Sequence, residues 1–197
     1  MTTNNDTTTT ATDLVAAKTA LDKLTKSLAK NDLDDFLRGE RRSLLLVDVS
    51  SSMSEPIRAG GTKISALRVV VASMRETHPV PVAAFGGAVG VIVVDSIPSP
   101  SGGTPLTDAI QFGQREGATH LVVVTDGYPD NPHTALDAAR EFGRPIDVVY
   151  IGDGNDEGSR FAAELARITG GTCSLTDLGK PKELAGKIVL MLGDGTI

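Results

Sequence analysis

Tryptophan is absent from this 197-residue chain, and only two tyrosines and five phenylalanines are present. So few flat side chains argue against base-stacking platforms and sugar-stacking clefts. Positive charge is also scarce. Nineteen Lys and Arg stand against 25 Asp and Glu, giving a formal charge of -6, and no Lys/Arg run stands out. A nucleic-acid surface needs clustered cations, so no nucleic-acid partner is expected. Cys173 is the only cysteine, which excludes an internal disulfide and supplies no metal-ligand spacing. It stands in a short apolar stretch, Thr172–Leu175, and reads as a small buried side chain, not a nucleophile. The amino terminus, MTTNNDTTTT, lacks the basic start and apolar core of a secretory signal. No run is long and apolar enough to span a bilayer. A cytoplasmic location is therefore expected.

What remains is an ordinary globular composition, 40% hydrophobic and 22% charged, and a length that suits one domain with a short extension. Residues 1–11 are rich in Thr and Asn, have nothing to bury, and read as a disordered tail. Residues 12–40 read as a helical extension. Leu14, Ala17, Leu21, Leu24 and Leu28 form one apolar stripe at helical spacing. The stripe covers about two heptads, short of what a coiled coil needs, which favours packing on its own domain over a dimer seam or partner helix. The acidic turn Asp32–Asp35 reads as a solvated face; its other use would be to occupy a metal site in a neighbouring copy.

From residue 41 to 197 strands and helices alternate. Ser43–Val49 is an apolar run and reads as a buried strand. Ile64, Leu67, Val71 and Met74 mark one helix face. Val80–Phe85 and Val89–Val94 are strands separated only by Gly86, Gly87 and Ala88, a link too short for a crossover, so they pair as an antiparallel hairpin. Helices are expected from Thr107 to about Gln114 and over Thr134–Phe142, Glu157–Ile168 and Lys182–Leu192. Strands are expected at Thr119–Thr125, Ile146–Ile151 and Thr172–Leu175. This order predicts an α/β fold of Rossmann-like, doubly wound type. Its six-stranded sheet is mostly parallel, with one antiparallel edge strand and helices on both faces.

Two of the strands end in aspartate: LLLVDVSSSMS carries Asp48 at its tip and LVVVTDGYPD carries Asp126. In a parallel sheet both tips lie on the edge where open α/β folds bind ligands. Core packing does not explain a carboxylate there, because Asp is a poor strand residue and its burial is costly. Asp48, Ser50 and Ser52 alternate, so an extended turn can aim their oxygens at one point. The loop Pro100–Pro105 adds Thr104 after a Gly-Gly hinge, with Thr107 as a competing hydroxyl. Two carboxylates and three hydroxyls are hard donors, suited to Mg²⁺, Mn²⁺ or Ca²⁺ and not to ions that need His or thiolate. The bland alternatives, a helix cap after the first strand and an Asx turn at TDG, explain each piece alone but not their combination.

The motifs Asp48–Ser52 (DVSSS), Gly102–Thr104 (GGT) and Thr125–Gly127 (TDG), in this order, resemble the metal-ion-dependent adhesion site of von Willebrand factor type A domains. The resemblance covers about residues 43–192, and YIGDGNDEGSRFAAELARITGG is similar to that family's fifth strand and following helix. It implies a metal site made of Asp48, Ser50, Ser52, Thr104 and Asp126. It also implies a non-enzymatic role, in which the ion binds a Glu or Asp of a partner protein. Prokaryotic relatives of this kind suggest an AAA+ ATPase or a stress-response protein as that partner.

Two other functions compete. A Mg²⁺-dependent phosphoryl-transfer hydrolase of Rossmann-like type would carry a second Asp two residues after the first, where this chain has Ser50. A structural subunit would use the metal only as a staple. No Ser–His–Asp arrangement is legible, since His78, His120 and His133 share no spacing. His133 reads as a solvated loop residue that could instead line the rim of the site. FGGAVG joins two strands and opens no helix, which argues against a phosphate cradle.

Overall fold

The computed structural model describes residues 42–57, 60–77, 80–87, 89–152, 154–176 and 181–192. All belong to the compact unit Arg42–Ile197. The expected tail, the helical extension with its leucine stripe and acidic turn, and His78 lie outside the described residues.

The strands are β1 (Ser43–Asp48), β2 (Val82–Gly86), β3 (Gly90–Val93), β4 (His120–Thr125), β5 (Ile146–Ile151) and β6 (Cys173–Thr176). The helices are α1 (Lys63–Thr77), α2 (Leu106–Arg115), α3 (Pro132–Phe142), α4 (Glu157–Thr169) and α5 (Pro181–Leu192). They build one six-stranded sheet in the order β3-β2-β1-β4-β5-β6. All neighbours are parallel except β2 and β3, which form the expected antiparallel hairpin at the edge. The fold is thus the α/β, Rossmann-like arrangement that the alternation of elements implies.

The central strands are apolar at every position because both of their faces are covered. On β1, Leu45 and Val47 point into a core with Leu67, Val71 and Met74 of α1 and Leu184 and Ile188 of α5. Leu44 and Leu46 point the other way, into a core with Ile110 of α2, Phe142 of α3 and Leu165 of α4. Full burial of one such Leu contributes about 1.5–3 kcal/mol. These two cores fix the register of β1, and with it the position of Asp48 at the strand's end.

Local chemistry sets the helix ends. Asn131 and Asp156 cap α3 and α4 by accepting the backbone N–H of Thr134 and Ser159. Gly143 and Gly170 end these helices at φ of 62° and 73°, where a side chain would be strained. The second strand begins later than its apolar run suggests. Pro81 has no N–H to give the ladder, and it contributes only its carbonyl, to the N–H of Leu45. Cys173 opens an edge strand and is half-buried, not enclosed as its apolar neighbours suggest. Burial pushes its thiol upward, away from the reactive thiolate.

Candidate metal centre

The strand order reverses between β1 and β4: the chain leaves β1 for β2 on one side and later returns to place β4 on the other. Loops that leave adjacent strands for opposite faces open a crevice between them. Asp48 ends β1 and Asp126 follows β4, so both carboxylates stand at this point. Both residues are buried, at 0% and 8% exposure, as are Ser50 and Thr104.

One hydrogen-bond network joins four of the five predicted ligands. The Ser50 backbone N–H donates to Asp48 Oδ1 at 2.7 Å. Ser50 Oγ and Ser52 Oγ lie 3.0 Å apart, and Ser52 Oγ donates to Asp126 Oδ1 at 2.8 Å. Thr104 joins them in space. A Cβ added to Gly127 would stand 3.2 Å from Thr104 Oγ1, 3.8 Å from Asp48 Oδ2 and 3.8 Å from Ser52 Oγ. Three oxygens from two loops thus converge on a spot kept clear by the glycine of the TDG motif, on a third loop. Thr107 is turned elsewhere, and its hydroxyl meets that of Thr134 at 2.9 Å.

The glycines of the middle loop have steric reasons. Gly103 lets the Asp130 carboxylate approach, since a Cβ there would sit 2.4 Å from Asp130 Oδ1. That oxygen accepts the Thr104 backbone N–H at 2.9 Å and so anchors the loop. Gly87 of the hairpin bonds the Gly103 carbonyl at 3.0 Å, and a Cβ on Gly87 would strike the Gly103 nitrogen at 2.5 Å. Gly87 therefore packs backbone against backbone on Gly102 and Gly103, and Gly86 packs on Val49, which accounts for FGG without any phosphate.

Sequence reasoning missed Thr125, Asp130, Lys63 and Glu55. Thr125 donates its hydroxyl to Asp48 Oδ2. Asp130 anchors Thr104. Lys63 Nζ donates to Asp126 Oδ2 at 2.7 Å and to Glu55 Oε2 at 2.5 Å. A signal for Lys63 was present, because a cation on the first residue of a helix opposes the helix dipole and implies a specific task. Burial works against its ammonium, yet the bonds to Asp126 and Glu55 outweigh that and raise its pKa.

Burial pushes the Asp48 carboxyl up to about 6, against the lowering effect of its bonds from Thr125 and Ser50, and the charge of Asp126 adds to the rise. The folded protein thus keeps a proton that the unfolded chain releases near 3.8. The resulting stabilisation is complete below that value and lost as pH rises to about 6, a loss of about 3 kcal/mol. In EDTA, the wild type should lose stability over this window relative to Asp48→Asn. Denaturant melts at pH 4, 5, 6 and 7 measure the difference, and parallel profiles would refute the assignment.

The donor set fits a hard divalent cation: the three atoms nearest the cleared spot are carboxylate or hydroxyl oxygens. Among the described residues no group of three or more His, Cys, Asp or Glu is placed to hold a metal. A groove of about 560 Å³ opens beside Thr104 and is lined by Asp108, Asp130, Asp137 and Glu141.

At the other end of the strands a Ser–His–Asp chain does form, although no spacing along the chain announces it. Ser43 Oγ lies 3.0 Å from His120 Nδ1, and His120 Nε2 lies 2.8 Å from Asp147 Oδ2. The serine hydroxyl also bonds the Leu192 carbonyl at 3.2 Å, which ties the end of α5 to the sheet. Asp147 Oδ1 accepts the backbone N–H and the hydroxyl of Thr172. This is a buried bracket between elements. His133 is exposed, in the first turn of α3 and not in a loop.

No protein-family model and no curated protein matches the sequence. Among solved structures the chain is similar to a von Willebrand factor type A protein from Catenulispora acidiphila, with a TM-score of 0.60 and 18% identity over 76% of this chain and 42% of that one. It is also similar to proximal thread matrix protein 1 from the mussel byssus, with a TM-score of 0.52 and 16% identity over 74% of this chain and 44% of that one. The chain therefore spans less than half the length of either structure. At such identities the likeness concerns the fold alone, and the fold of this chain is of the von Willebrand factor type A kind.

Proposed function

We propose that the chain is a metal-dependent protein-binding module. Asp48, Ser50, Ser52, Thr104 and Asp126 hold Mg²⁺, or Mn²⁺ or Ca²⁺ in its place, and an acidic side chain of a partner completes the site. The observation that carries this reading is the convergence of Asp48, Ser52 and Thr104 oxygens, from two loops, beside Gly127 of a third at the reversal of strand order. When bound, the ion supplies an electrophilic centre for an anionic oxygen.

The chain's own residues account for the rest. Burial keeps water from screening the carboxylates, and Thr125 and the Ser50 backbone orient Asp48. Asp130 holds the Thr104 loop, and the adjoining groove gives a partner segment room to lie. The role is non-enzymatic in this reading. Ser50 stands where phosphoryl transfer needs a second carboxylate, and Ser43, hydrogen-bonded to a backbone carbonyl, is no poised nucleophile. A cytoplasmic partner such as an AAA+ ATPase or a stress-response protein is compatible with it.

A pull-down from the native host, followed by titration of the recovered partner in Mg²⁺ and in EDTA, tests the proposal. Affinity should fall by at least about a hundredfold in EDTA, because the partner's carboxylate is then left desolvated and unpaired. Affinity that EDTA leaves unchanged would place the partner elsewhere. If the melting temperature alone then fell, the metal would be a structural staple.

A further inference from the structure

Lys63 is placed where a metal-binding site built only for tight binding would have no cation. It opens α1, where the helix dipole disfavours positive charge, and only 18% of its side chain is exposed. Its ammonium bonds Asp126, whose side chain is fully buried, and Glu55, which is well exposed. Both oxygens of Asp126 are thereby engaged, Oδ1 by the neutral Ser52 hydroxyl and Oδ2 by a full positive charge.

We propose that Lys63 is a specificity-determining residue of this site, a tethered cation that competes with the divalent ion for Asp126. The inference rests on the metal-binding reading above. An ion that Asp126 helps to hold is one carboxylate away from the ammonium, in a region where burial limits screening. Repulsion between the two lowers affinity for the metal alone. Once the ion is bound, the same positive charge stays beside it and favours an incoming carboxylate. Metal and acidic ligand then bind cooperatively, each weakly without the other. Glu55 gives the ammonium a second anchor, onto which it can retreat from Asp126 without losing all pairing.

The opposite role, in which Lys63 steadies Asp126 for the metal, predicts the opposite result. Mn²⁺ titration of the full chain, followed by electron paramagnetic resonance at fixed pH and salt, separates the two. Lys63→Met should bind Mn²⁺ at least about tenfold more tightly than the wild type. It should also melt lower in EDTA, where the buried Asp126 has lost its partner. Lys63→Gln, which keeps a donor without the charge, should bind more tightly as well and serves if the methionine variant does not fold. Lys63→Arg should stay within about threefold of the wild type, since the charge is kept. Equal or weaker binding by the uncharged variants, or binding by the arginine variant as tight as theirs, overturns the proposal. If the wild type binds Mn²⁺ and Asp48→Ala does not, that failure concerns Lys63 alone. If neither the wild type nor any Lys63 variant binds Mn²⁺, the metal-binding reading itself falls, and this proposal with it.

Discussion

Alanine at Asp48 or at Asp126 should abolish the stabilisation of this protein by Mg²⁺ while leaving the chain folded. An ion that binds only the folded state stabilises it by mass action, by about 2.7 kcal/mol at a concentration about a hundred times Kd. For a domain of this size that corresponds to a rise in melting temperature of roughly 5–10 °C. The two carboxylates supply the formal negative charge among the proposed ligands. Removing either leaves hydroxyls and one anion to offset two positive charges. The fold should survive at Asp48 because its burial is already unfavourable to the charged form, as the rise to about 6 records. Loss of the bonds from Ser50 and Thr125 is thus partly offset by relief of that desolvation. At Asp126 the Tyr150 hydroxyl bonds the backbone carbonyl, an anchor that a side-chain substitution leaves in place. Thermal melts of wild type and both variants, each with Mg²⁺ and with EDTA, decide the matter. Variants that respond to Mg²⁺ like the wild type would show that the ligands are misassigned.

A larger loss of stability is expected from Asp147→Ala, far from the metal centre. Asp147 and His120 are both buried, and the pair ties β4 to β5, with Ser43 of β1 and Thr172 before β6 attached to it. Burial works against the Asp147 carboxylate, but its bonds from His120 and Thr172 prevail and hold its pKa below the usual carboxylate range. Alanine would leave the ring nitrogen of His120 and the backbone N–H of Thr172 without this acceptor. Leaving such buried groups unsatisfied costs about 1–3 kcal/mol each. Asp147→Asn keeps the shape and part of the bonding and should cost less, about 1–2 kcal/mol. Urea denaturation reads both as a lower midpoint at constant slope. A loss below about 1 kcal/mol in the alanine variant would show that the bracket does not bear on stability.

Much of the fold was legible because the central strands are buried on both faces and the helices on one. That difference writes continuous apolar runs for β1, β4 and β5 and a helical period between them, and β5 occupies the very residues of its run, Ile146–Ile151. The hairpin was legible from chain length alone, since three residues cannot cross a sheet. Aspartate at a strand tip, repeated twice, marked the carboxylates for the same reason of burial. Boundaries were less legible where backbone chemistry overrode side-chain pattern, as at Pro81.

The sequence by itself determined the residue types available for chemistry, the strands that carry them and the edge on which they emerge, because these follow from local periodicity and the direction of parallel strands. Only the tertiary structure decided which tips are neighbours. The placing of β1 beside β4 brings Asp48 and Asp126 together across 78 residues of chain, and no local rule states that adjacency. Tertiary structure likewise chose where the Thr104 and Thr107 hydroxyls turn, brought Lys63 to Asp126, and joined Ser43, His120 and Asp147. Each of these contacts depends on the direction of a side chain after the sheet has closed, and such directions are set by packing between distant segments, not by the order of residues along the chain.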